Sequence, residues 1–348
     1  MKSNFLILIS FLLFISCKKN QPETLDSWEK ISEKVRFLED KHVFTLKSGT
    51  FNYTFDKTKM PFRKIVMLNA SLVGYIAELG EEQRIIGVAG KQYIYSEKIH
   101  QLIQENKIED VGSDQKYNVE KILALKPDVI FTNYISSFEN TYDILRKNGI
   151  QLVFLDEYLE QQPLEKAAYL KVFGKLLGVE EKAQQKYIEI EKNYHALKRK
   201  AQAAKETPEV LVNEMYGNQW FMAGGKTFVA NYLRDAHARY ILRDTESDRS
   251  IPMSFEEVLS KAQNAQFWVN AGNHQTRKEL LAINPSYEKI PAFSRGYVYS
   301  INARQKGNAN DYFESGVVRA DWVLKDYIII FHPALLPHDT LTYMKALK

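Results

Sequence analysis

The chain has 348 residues, of which 45% are apolar and 26% are charged. This length favours two globular units, and the balance of residues excludes a disordered, collagen-like or low-complexity protein. The net charge is only +4, so the composition gives no indication of nucleic-acid binding. Cys17 is the single cysteine, which excludes a disulfide framework and any metal site built from several cysteines.

The first residues have the pattern of a secretory signal. Lys2 precedes an apolar run, residues 5–15, which is shorter than the roughly twenty residues that a membrane-spanning helix needs. Cys17 follows this run and resembles the lipidated cysteine of a bacterial lipobox. A plain signal peptide with a chance cysteine is the alternative. We expect residues 1–17 to be a lipoprotein signal peptide, followed by a polar, flexible tether.

Residues 18–60 are predicted to contain the tether and a hairpin. The hairpin is predicted because apolar residues alternate around Ser48 and Gly49 over residues 42–55. Short apolar strands and helical patterns then alternate through residues 61–160. The strands are predicted at 65–68, 85–88, 128–132 and 151–155, and the helices at 71–80, 118–125 and 138–148. This alternation predicts an α/β lobe with a parallel sheet covered on both faces.

Residues 161–206 carry no strand signal. Apolar residues recur at spacings of three and four on both sides of Gly178, which predicts a long helical connector with a break at that glycine. The α/β pattern restarts over residues 207–348, with strands at 210–212, 267–269 and 297–301 and helices at 226–234, 254–261 and 314–331. The order is therefore an α/β lobe, a helical connector and a second α/β lobe.

The two predicted lobes share a segment. Residues 118–123 and 254–259 each precede a strand and place a glutamate, Glu120 or Glu256, at the same point. Helix capping is one explanation, since Asn118 and Ser254 are natural N-caps and an acid in the first turn interacts favourably with the helix dipole. Recognition of a partner at the surface is the other.

Residues 118–130, with the sequence NVEKILALKPDVI, resemble the most characteristic stretch of the periplasmic binding proteins that serve iron-siderophore, haem and cobalamin ABC importers. Residues 86–90 and 110–112 resemble further segments of these proteins. Residues 310–316, the final helix and residues 331–333 resemble the carboxyl end of a Bacteroidetes-type lipoprotein branch. The resemblance covers about residues 62–347. It implies two Rossmann-like α/β lobes joined by a single long α-helix, with a ligand cleft between the lobes and little hinge motion.

The resemblance also implies a function. The expected protein is an extracytoplasmic solute-binding lipoprotein, not an enzyme, which captures an iron chelate of the siderophore type and delivers it to an ABC importer. We expect a monomer without a cofactor of its own, lipid-anchored through Cys17 on the periplasmic side of the cell envelope. In the family, one surface glutamate of each lobe docks on arginines of the permease, and by position these are Glu120 and Glu256.

Loops at the strand ends are expected to supply the ligand contacts. The candidates carry aromatic, cationic or amide groups: Lys91, Tyr93, Tyr95, Tyr134, Trp220, Lys226, Asn273, Arg304 and Tyr312. Aromatic rings suit a large, flat and partly polar ligand, and the three cations would meet carboxylates or catecholates of an anionic chelate. For each aromatic residue, ordinary packing of a loop is the alternative.

Other functions remain open at this point. A haem carrier would use Tyr93 and His274 as iron ligands. A cobalamin carrier, a membrane-tethered α/β enzyme and an adaptor that has lost ligand binding are further alternatives. The seven histidines are too scattered to predict a bare metal site. Residues 223–227 end like a phosphate-binding loop, but Trp220 stands where that motif requires glycine, and no nucleophile motif supports an enzyme.

Overall fold

The computed structural model describes residues 28–113 and 115–348. The signal peptide, Cys17 and most of the tether lie outside these ranges. An antiparallel amino-terminal sheet comes first, with strands β1 (Glu29–Lys30), β2 (Val35–Glu39), β3 (Val43–Ser48) and β4 (Phe51–Asp56) in that order. The pairing of β3 with β4 confirms the predicted hairpin. The sheet packs on the lobe that follows, where the hydroxyl of Tyr53 accepts the backbone N–H of Phe154 at 2.8 Å.

The N lobe, defined by its five-stranded parallel sheet, has the strand order β11-β10-β5-β6-β7. Its strands are β5 (Ile65–Met67), β6 (Ile85–Val88), β7 (Glu109–Asp110), β8 (Gly112–Ser113), β9 (Lys116–Tyr117), β10 (Val129–Thr132) and β11 (Gln151–Phe154), of which β8 and β9 form a separate hairpin. Its helices are α1 (Ala70–Glu78), α2 (Glu97–Gln104), α3 (Val119–Leu125) and α4 (Glu139–Lys147). Every residue of β5 and β10 is buried, as the apolar runs predict.

Three helices connect the lobes: α5 (Pro163–Ala167), α6 (Tyr169–Leu177) and α7 (Glu180–Ala201). The predicted single connecting helix is divided. Ala168 interrupts it with nearly helical angles, and Gly178, at φ 66°, ends α6 in the left-handed region that glycine adopts without strain. The predicted break at Gly178 is therefore confirmed, and α7 turns back to pack along α6.

The C lobe is built around a parallel sheet with the order β15-β12-β17, beside the antiparallel sheet β13-β14-β16. Its strands are β12 (Glu209–Val212), β13 (Met215–Tyr216), β14 (Gln219–Ala223), β15 (Arg239–Tyr240), β16 (Ser250–Met253), β17 (Phe267–Val269), β18 (Tyr299–Ser300), β19 (Gln305–Lys306), β20 (Ala309–Asn310) and β21 (Lys345–Ala346). Its helices are α8 (Phe228–Asp235), α9 (Phe255–Lys261), α10 (Arg277–Ile283), α11 (Pro291–Ser294), α12 (Ser315–Val318) and α13 (Ala320–Phe331). The predicted final helix is thus divided at Arg319. The two α/β lobes and their helical connector confirm the fold class.

The aromatic segment after β12 is not the cleft loop that the sequence predicts. Residues 215–221 belong to the hairpin of β13 and β14, in which alternate side chains point to opposite faces. Trp220 lies on the inner face, where it is fully buried and packs against Trp268 and Tyr287. Its Nε1–H donates to the carbonyl of Val212 at 3.0 Å. The prediction of Trp220 as a ligand contact is therefore wrong, because the residue forms part of the core.

The lobes touch directly on one side of the cleft. Gly74 in α1 lies against the backbone of Glu314, and a Cβ atom at Gly74 would lie 2.3 Å from the carbonyl oxygen of Glu314. The buried carboxylate of Glu314 accepts the backbone N–H groups of Tyr95 at 2.5 Å and Ser96 at 3.1 Å. Close approach and these two hydrogen bonds join the N lobe to the segment that follows β20.

Arg319 joins the lobes to the connector. Its buried guanidinium binds Asp321 through two contacts, at 3.0 and 2.7 Å. The same group lies 3.5 Å from Glu78 of α1 and 3.5 Å from Glu189 of α7. The ring of Trp322 packs on it, with Cζ 4.0 Å from the ring centroid. These contacts link three parts of the chain and oppose movement of one lobe relative to the other.

Candidate functional site

The N-lobe sheet carries a pair of asparagines at the point where its strand order reverses. The chain proceeds from β5 outward to β6 and β7, and then crosses to β10 on the other side of β5. Asn69 follows β5 and Asn133 follows β10, so both lie at the carboxyl ends of adjacent parallel strands. Their side-chain amides are hydrogen-bonded to each other. Open α/β sheets bind ligands at such a reversal point.

A buried acid beneath this pair fixes its orientation. Glu157 accepts hydrogen bonds from Asn133 Nδ2 at 2.9 Å and from Ser71 Oγ at 2.7 Å. Burial raises the pKa of Glu157, opposed by Lys166 and by these hydrogen bonds. Burial also lowers the pKa of Lys166 to about 8, and its Nζ lies 3.8 Å from the ring centroid of Phe228 in the C lobe. The network thus extends from the strand ends to the boundary between the lobes.

The C-lobe sheet has a corresponding pair. Its strand order reverses between β12 and β17, and Glu214 and His274 follow these two strands. His274 Nε2 lies 2.6 Å from Glu214 Oε2. The hydrogen bond to Glu214 raises the pKa of His274, and burial opposes that shift. This acid–imidazole pair was not predicted, although polar residues directly after two apolar strands were the available signal.

Asparagines connect the C-lobe pair to the gap between the lobes. Asn302 Nδ2 donates to the backbone carbonyl of His274 at 2.7 Å. Asn310 Nδ2 donates to Asn273 Oδ1 at 2.9 Å and to the carbonyl of Ile301 at 3.0 Å. These bonds hold the segment around Asn310 against the strand ends of the C lobe.

A cavity of about 280 Å³ lies between the two lobes. Its wall consists of uncharged groups from both sides: Leu68, Asn69, Ala70, Ser71, Ala89, Gly90, Tyr93, Asn308, Asn310 and Phe313. Three side-chain amides and two hydroxyls offer polar groups, and two rings offer apolar faces. This composition suits a ligand of mixed polarity held between the lobes.

Large apolar side chains are exposed around the same strand ends. In the N lobe they follow β6, β10 and β11, and in the C lobe they follow β12 and β20: Tyr93, Ile135, Tyr158, Leu159, Tyr216, Phe221 and Phe313. Tyr216 is the most exposed, at 82%, and lies in the tip of the hairpin of β13 and β14. Exposed aromatic residues that gather at one place indicate a binding surface.

A second cavity, of about 490 Å³, lies between the amino-terminal sheet and the connector. Phe37 and several charged residues line it, among them Lys171, Glu180 and Glu181. It is larger than the cavity between the lobes, but the strand ends of the two parallel sheets do not contribute to its wall. The cavity between the lobes is therefore the better candidate for a binding site.

The predicted cationic contacts do not line this cavity, although Arg304 lines a neighbouring cavity of about 430 Å³ between α1 and the segment around Glu314. Lys91 Nζ is 3.0 Å from Asp110, and Lys226 forms an ion pair with Glu246. Arg304 Nε is 2.6 Å from the buried carboxylate of Asp311, in a contact without hydrogen-bond geometry. Each of them faces a carboxylate of the protein, and their role as direct ligand contacts stays a prediction.

The remaining predicted contacts have different positions. Tyr93 lies in the cavity wall. Tyr95 lies at the lobe interface, beneath the guanidinium of Arg304 at 5.4 Å. Tyr134 packs against Phe51 and Phe154, so it follows the alternative of loop packing. Burial raises the pKa of Tyr312 to about 12. Asn273 does not line the cavity, but its Oδ1 accepts a hydrogen bond from Asn310, which does. Only Tyr93 of this group reaches the cavity directly.

Glu120 and Glu256 occupy equivalent places in the two lobes. Each lies exposed in the first turn of a helix that runs back to a central strand, α3 to β10 and α9 to β17. Other side chains cap these helices. Asn118 accepts the N–H of Lys121, and Ser254 forms a capping box with Glu257. Glu120 and Glu256 form no ion pair within the described part of the chain, and as first-turn acids they remain placed to interact with the helix dipole.

Among residues 28–113 and 115–348, no group of three or more His, Cys, Asp and Glu side chains is close enough to hold a metal ion. No helix in these ranges is both long enough and apolar enough to cross a bilayer. The histidine of the haem alternative, His274, is held by Glu214.

Three known proteins show what the chain is similar to. An uncharacterized lipoprotein of Methanocaldococcus jannaschii is 25% identical over 288 residues, which cover 80% of this chain and 67% of the relative. A periplasmic binding protein from Veillonella parvula has the same fold with a TM-score of 0.65 at 16% identity, covering 85% and 99% of the two chains. A periplasmic haem-binding protein from Pseudomonas aeruginosa reaches a TM-score of 0.61 at 18% identity, covering 82% and 98%.

A family model also matches most of the chain. The model described as periplasmic binding protein matches residues 65–305, which include both parallel sheets and the connector. This match covers more than half of the chain. Members of the family and the structural neighbours are substrate-binding proteins and not enzymes. The chain belongs to the periplasmic binding protein family.

Proposed function

We propose that this protein captures an iron chelate of the siderophore type in the cleft between its lobes and delivers it to an ABC importer. The observation that carries the proposal is the cavity shared by Asn69, Ser71 and Tyr93 of the N lobe with Asn308, Asn310 and Phe313 of the C lobe. A structural neighbour at a TM-score of 0.61 is a siderophore-binding protein in complex with acinetobactin and ferric iron. The haem and cobalamin alternatives use the same cleft and the same mode of delivery.

Delivery is proposed to use Glu120 and Glu256. Because α3 and α9 run antiparallel to the strands that follow them, their first turns lie at the edges of the sheets where the strands end. One exposed carboxylate of each lobe therefore stands on the side of the cleft. A rigid pair of carboxylates can accept two arginine forks from a permease only while the lobes keep a fixed separation. Docking on the permease would therefore depend on the separation of the lobes, and so on whether they are closed.

The cellular setting follows the same proposal. Cys17 would carry the lipid anchor, and two similar Methanocaldococcus proteins bear the name lipoprotein. The protein would act as a monomer on the periplasmic side of the envelope. It would need no cofactor of its own, since the metal arrives as part of the chelate.

The lobes are proposed to close only slightly on the ligand. Glu314 binds Tyr95 and Ser96 across the interface, and Arg319 links α1, α7 and the C lobe. A large domain rotation would break these contacts. Small-angle X-ray scattering should therefore show nearly the same radius of gyration with and without the chelate, and a large compaction would contradict limited closure.

Direct ligand capture tests the function. The purified protein is incubated with ferric siderophores, haem and cobalamin and analysed by native mass spectrometry. We expect one chelate molecule to bind to one chain. Tyr93→Ala with Phe313→Ala should lose the complex, whereas Ile188→Ala, which truncates an exposed apolar residue of the connector, should retain it. Failure of every chelate to bind would exclude the proposed function.

A further inference from the structure

We infer that the chelate carried in the cleft is uncharged or nearly so, and that the cleft discriminates against polyanionic chelates such as ferric tris-catecholates. The inference rests on the proposed function and specifies the chemical class of its ligand. It comes from the charges around the cavity. The sequence predicts three cations as ligand contacts, whereas the cavity wall consists of uncharged groups.

Within residues 28–113 and 115–348, no charged side chain lines the cavity. The polar groups of its wall are the amides of Asn69, Asn308 and Asn310 and the hydroxyls of Ser71 and Tyr93. Hydrogen bonds within the protein hold the amides of Asn69 and Asn310, and Asn308 offers a donor and an acceptor that match neutral amide, hydroxamate or hydroxyl groups of a ligand. A buried anion needs a compensating cation or several donors, and its desolvation is costly without them. The wall can therefore satisfy a neutral ligand better than a multiply charged one.

The cations that the sequence predicts as ligand contacts, and Lys306 beside Tyr95, form ion pairs within the protein. Each of four faces a carboxylate of the protein: Lys91 faces Asp110, Lys226 faces Glu246, Arg304 faces Asp311 and Lys306 faces Glu97. Two of these cations, Arg304 and Lys306, also lie over the ring of Tyr95. An anionic ligand would have to displace a carboxylate from each of them. The rim thus presents little net positive potential to an incoming anion.

The charges behind the wall are balanced in the same way. In the N lobe, the carboxylate of Glu157 lies close enough to Lys166 for the two to interact. In the C lobe, Glu214 contacts His274 at 2.6 Å. In each lobe, the titratable cation behind the wall therefore has an acidic partner.

Exposed rings supply the other half of the recognition. Tyr93 from the N lobe is 46% exposed and Phe313 from the C lobe is 51% exposed, and both line the cavity. Two rings from opposite lobes can cover the apolar carbon frame of a ligand while the amides bind its polar edge. Neutral ferric trihydroxamates and corrinoids combine such a frame with uncharged polar groups.

Calorimetric titration at two ionic strengths tests the inference. The probes are a neutral ferric trihydroxamate, a neutral corrinoid and a ferric tris-catecholate. One of the neutral probes should bind at least about tenfold more tightly than the tris-catecholate, with a Kd that changes less than about twofold between roughly 0.03 M and 0.3 M salt. Tighter binding of the tris-catecholate, weakened strongly by salt, would overturn the inference but leave the proposed function intact. Binding of none of the probes would overturn both.

A gain-of-function variant provides an independent test. Asn308 is exposed and lines the cavity. Asn308→Lys adds a cation that no carboxylate compensates, so it should strengthen binding of the tris-catecholate by about tenfold at low salt. Asn52→Lys, which adds the same charge at an exposed position of β4 outside the cavity wall, is the matched control and should leave that binding unchanged. If the wild-type chain already binds the tris-catecholate more tightly than the neutral probes, and Asn308→Lys adds nothing, the inference is wrong.

Discussion

Asn69 and Asn133 lie side by side at the ends of two adjacent parallel strands, with their amides hydrogen-bonded to each other. Asn69 faces the cavity between the lobes, whereas Asn133 is buried and donates to Glu157 and to the carbonyl of Leu155. The pair thus couples the cavity wall to a buried network. Polar side chains are expected at this place, because backbone groups must find hydrogen-bond partners where the strands end.

Replacement of Asn133 should destabilise the N lobe. Asn133→Ala removes a 2.9 Å donor from the buried Glu157 and the partner of Asn69. A buried polar group left without its partner costs about 1–3 kcal/mol, so the free energy of unfolding should fall by that amount. Denaturant titration measures the change. Ser137→Ala in the exposed part of the same loop is the control, and an equal loss of stability in both variants would contradict the role of the network.

The two cavity rings should contribute to affinity separately. Tyr93→Ala and Phe313→Ala each remove an aromatic face that touches the ligand from one lobe. Each should weaken binding of the preferred chelate by about tenfold, since the contacts of one ring contribute on the order of 1.5 kcal/mol. Calorimetric titration measures both Kd values. Tyr297→Ala, an equally exposed ring outside the cavity wall, should bind normally, and a normal Kd for both cavity variants would show that the ligand lies elsewhere.

Docking should separate from capture. Glu120→Lys with Glu256→Lys should abolish uptake of the chelate into cells or proteoliposomes, because like charges would then face the arginines of the permease. The Kd for the chelate should stay unchanged. Glu180→Lys with Glu181→Lys makes the same change of charge in the first turn of α7 and should transport normally. Loss of chelate binding in the first variant would count against a docking role.

The Glu314 contact between the lobes predicts a pH dependence. Burial raises the pKa of Glu314 from its ordinary value of 4.5 to about 7. The folded chain therefore binds more protons than the unfolded chain between these values, so the contribution of Glu314 to stability is complete below pH 4.5 and decreases as the pH rises towards 7. Thermal unfolding across this window measures the effect. Glu314→Gln should reduce the loss of stability with pH, and an unchanged pH profile would contradict the assignment.

The sequence predicted the features that depend on local patterns. Continuous apolar runs predicted the central strands β5, β10, β12 and β17, and the spacing around Gly178 predicted the divided connector. Strands of two residues, such as β7 and β15, carry too little pattern to predict. The sequence predicts a loop where the structure has the strand β14, because its alternating aromatic residues also suit a binding loop. This wrong prediction places Trp220 in the cleft.

The candidate site was harder to predict because its charges depend on long-range pairing. The carboxylate that compensates Lys226 is twenty residues away in sequence, and the one that contacts Lys306 belongs to the other lobe. No local pattern shows that such cations are neutralised. Asn69 and Asn133, in contrast, directly follow apolar strands. Attention to polar residues at strand ends would have identified them.

Hydrogen–deuterium exchange on addition of the preferred chelate tests most directly whether the cleft between the lobes is the binding site. The account predicts slower exchange of backbone amides in residues 69–71, 89–95 and 308–313, on both sides of the cavity. Unchanged exchange in these segments, with protection confined to the second cavity between the amino-terminal sheet and the connector, would contradict binding in the cleft.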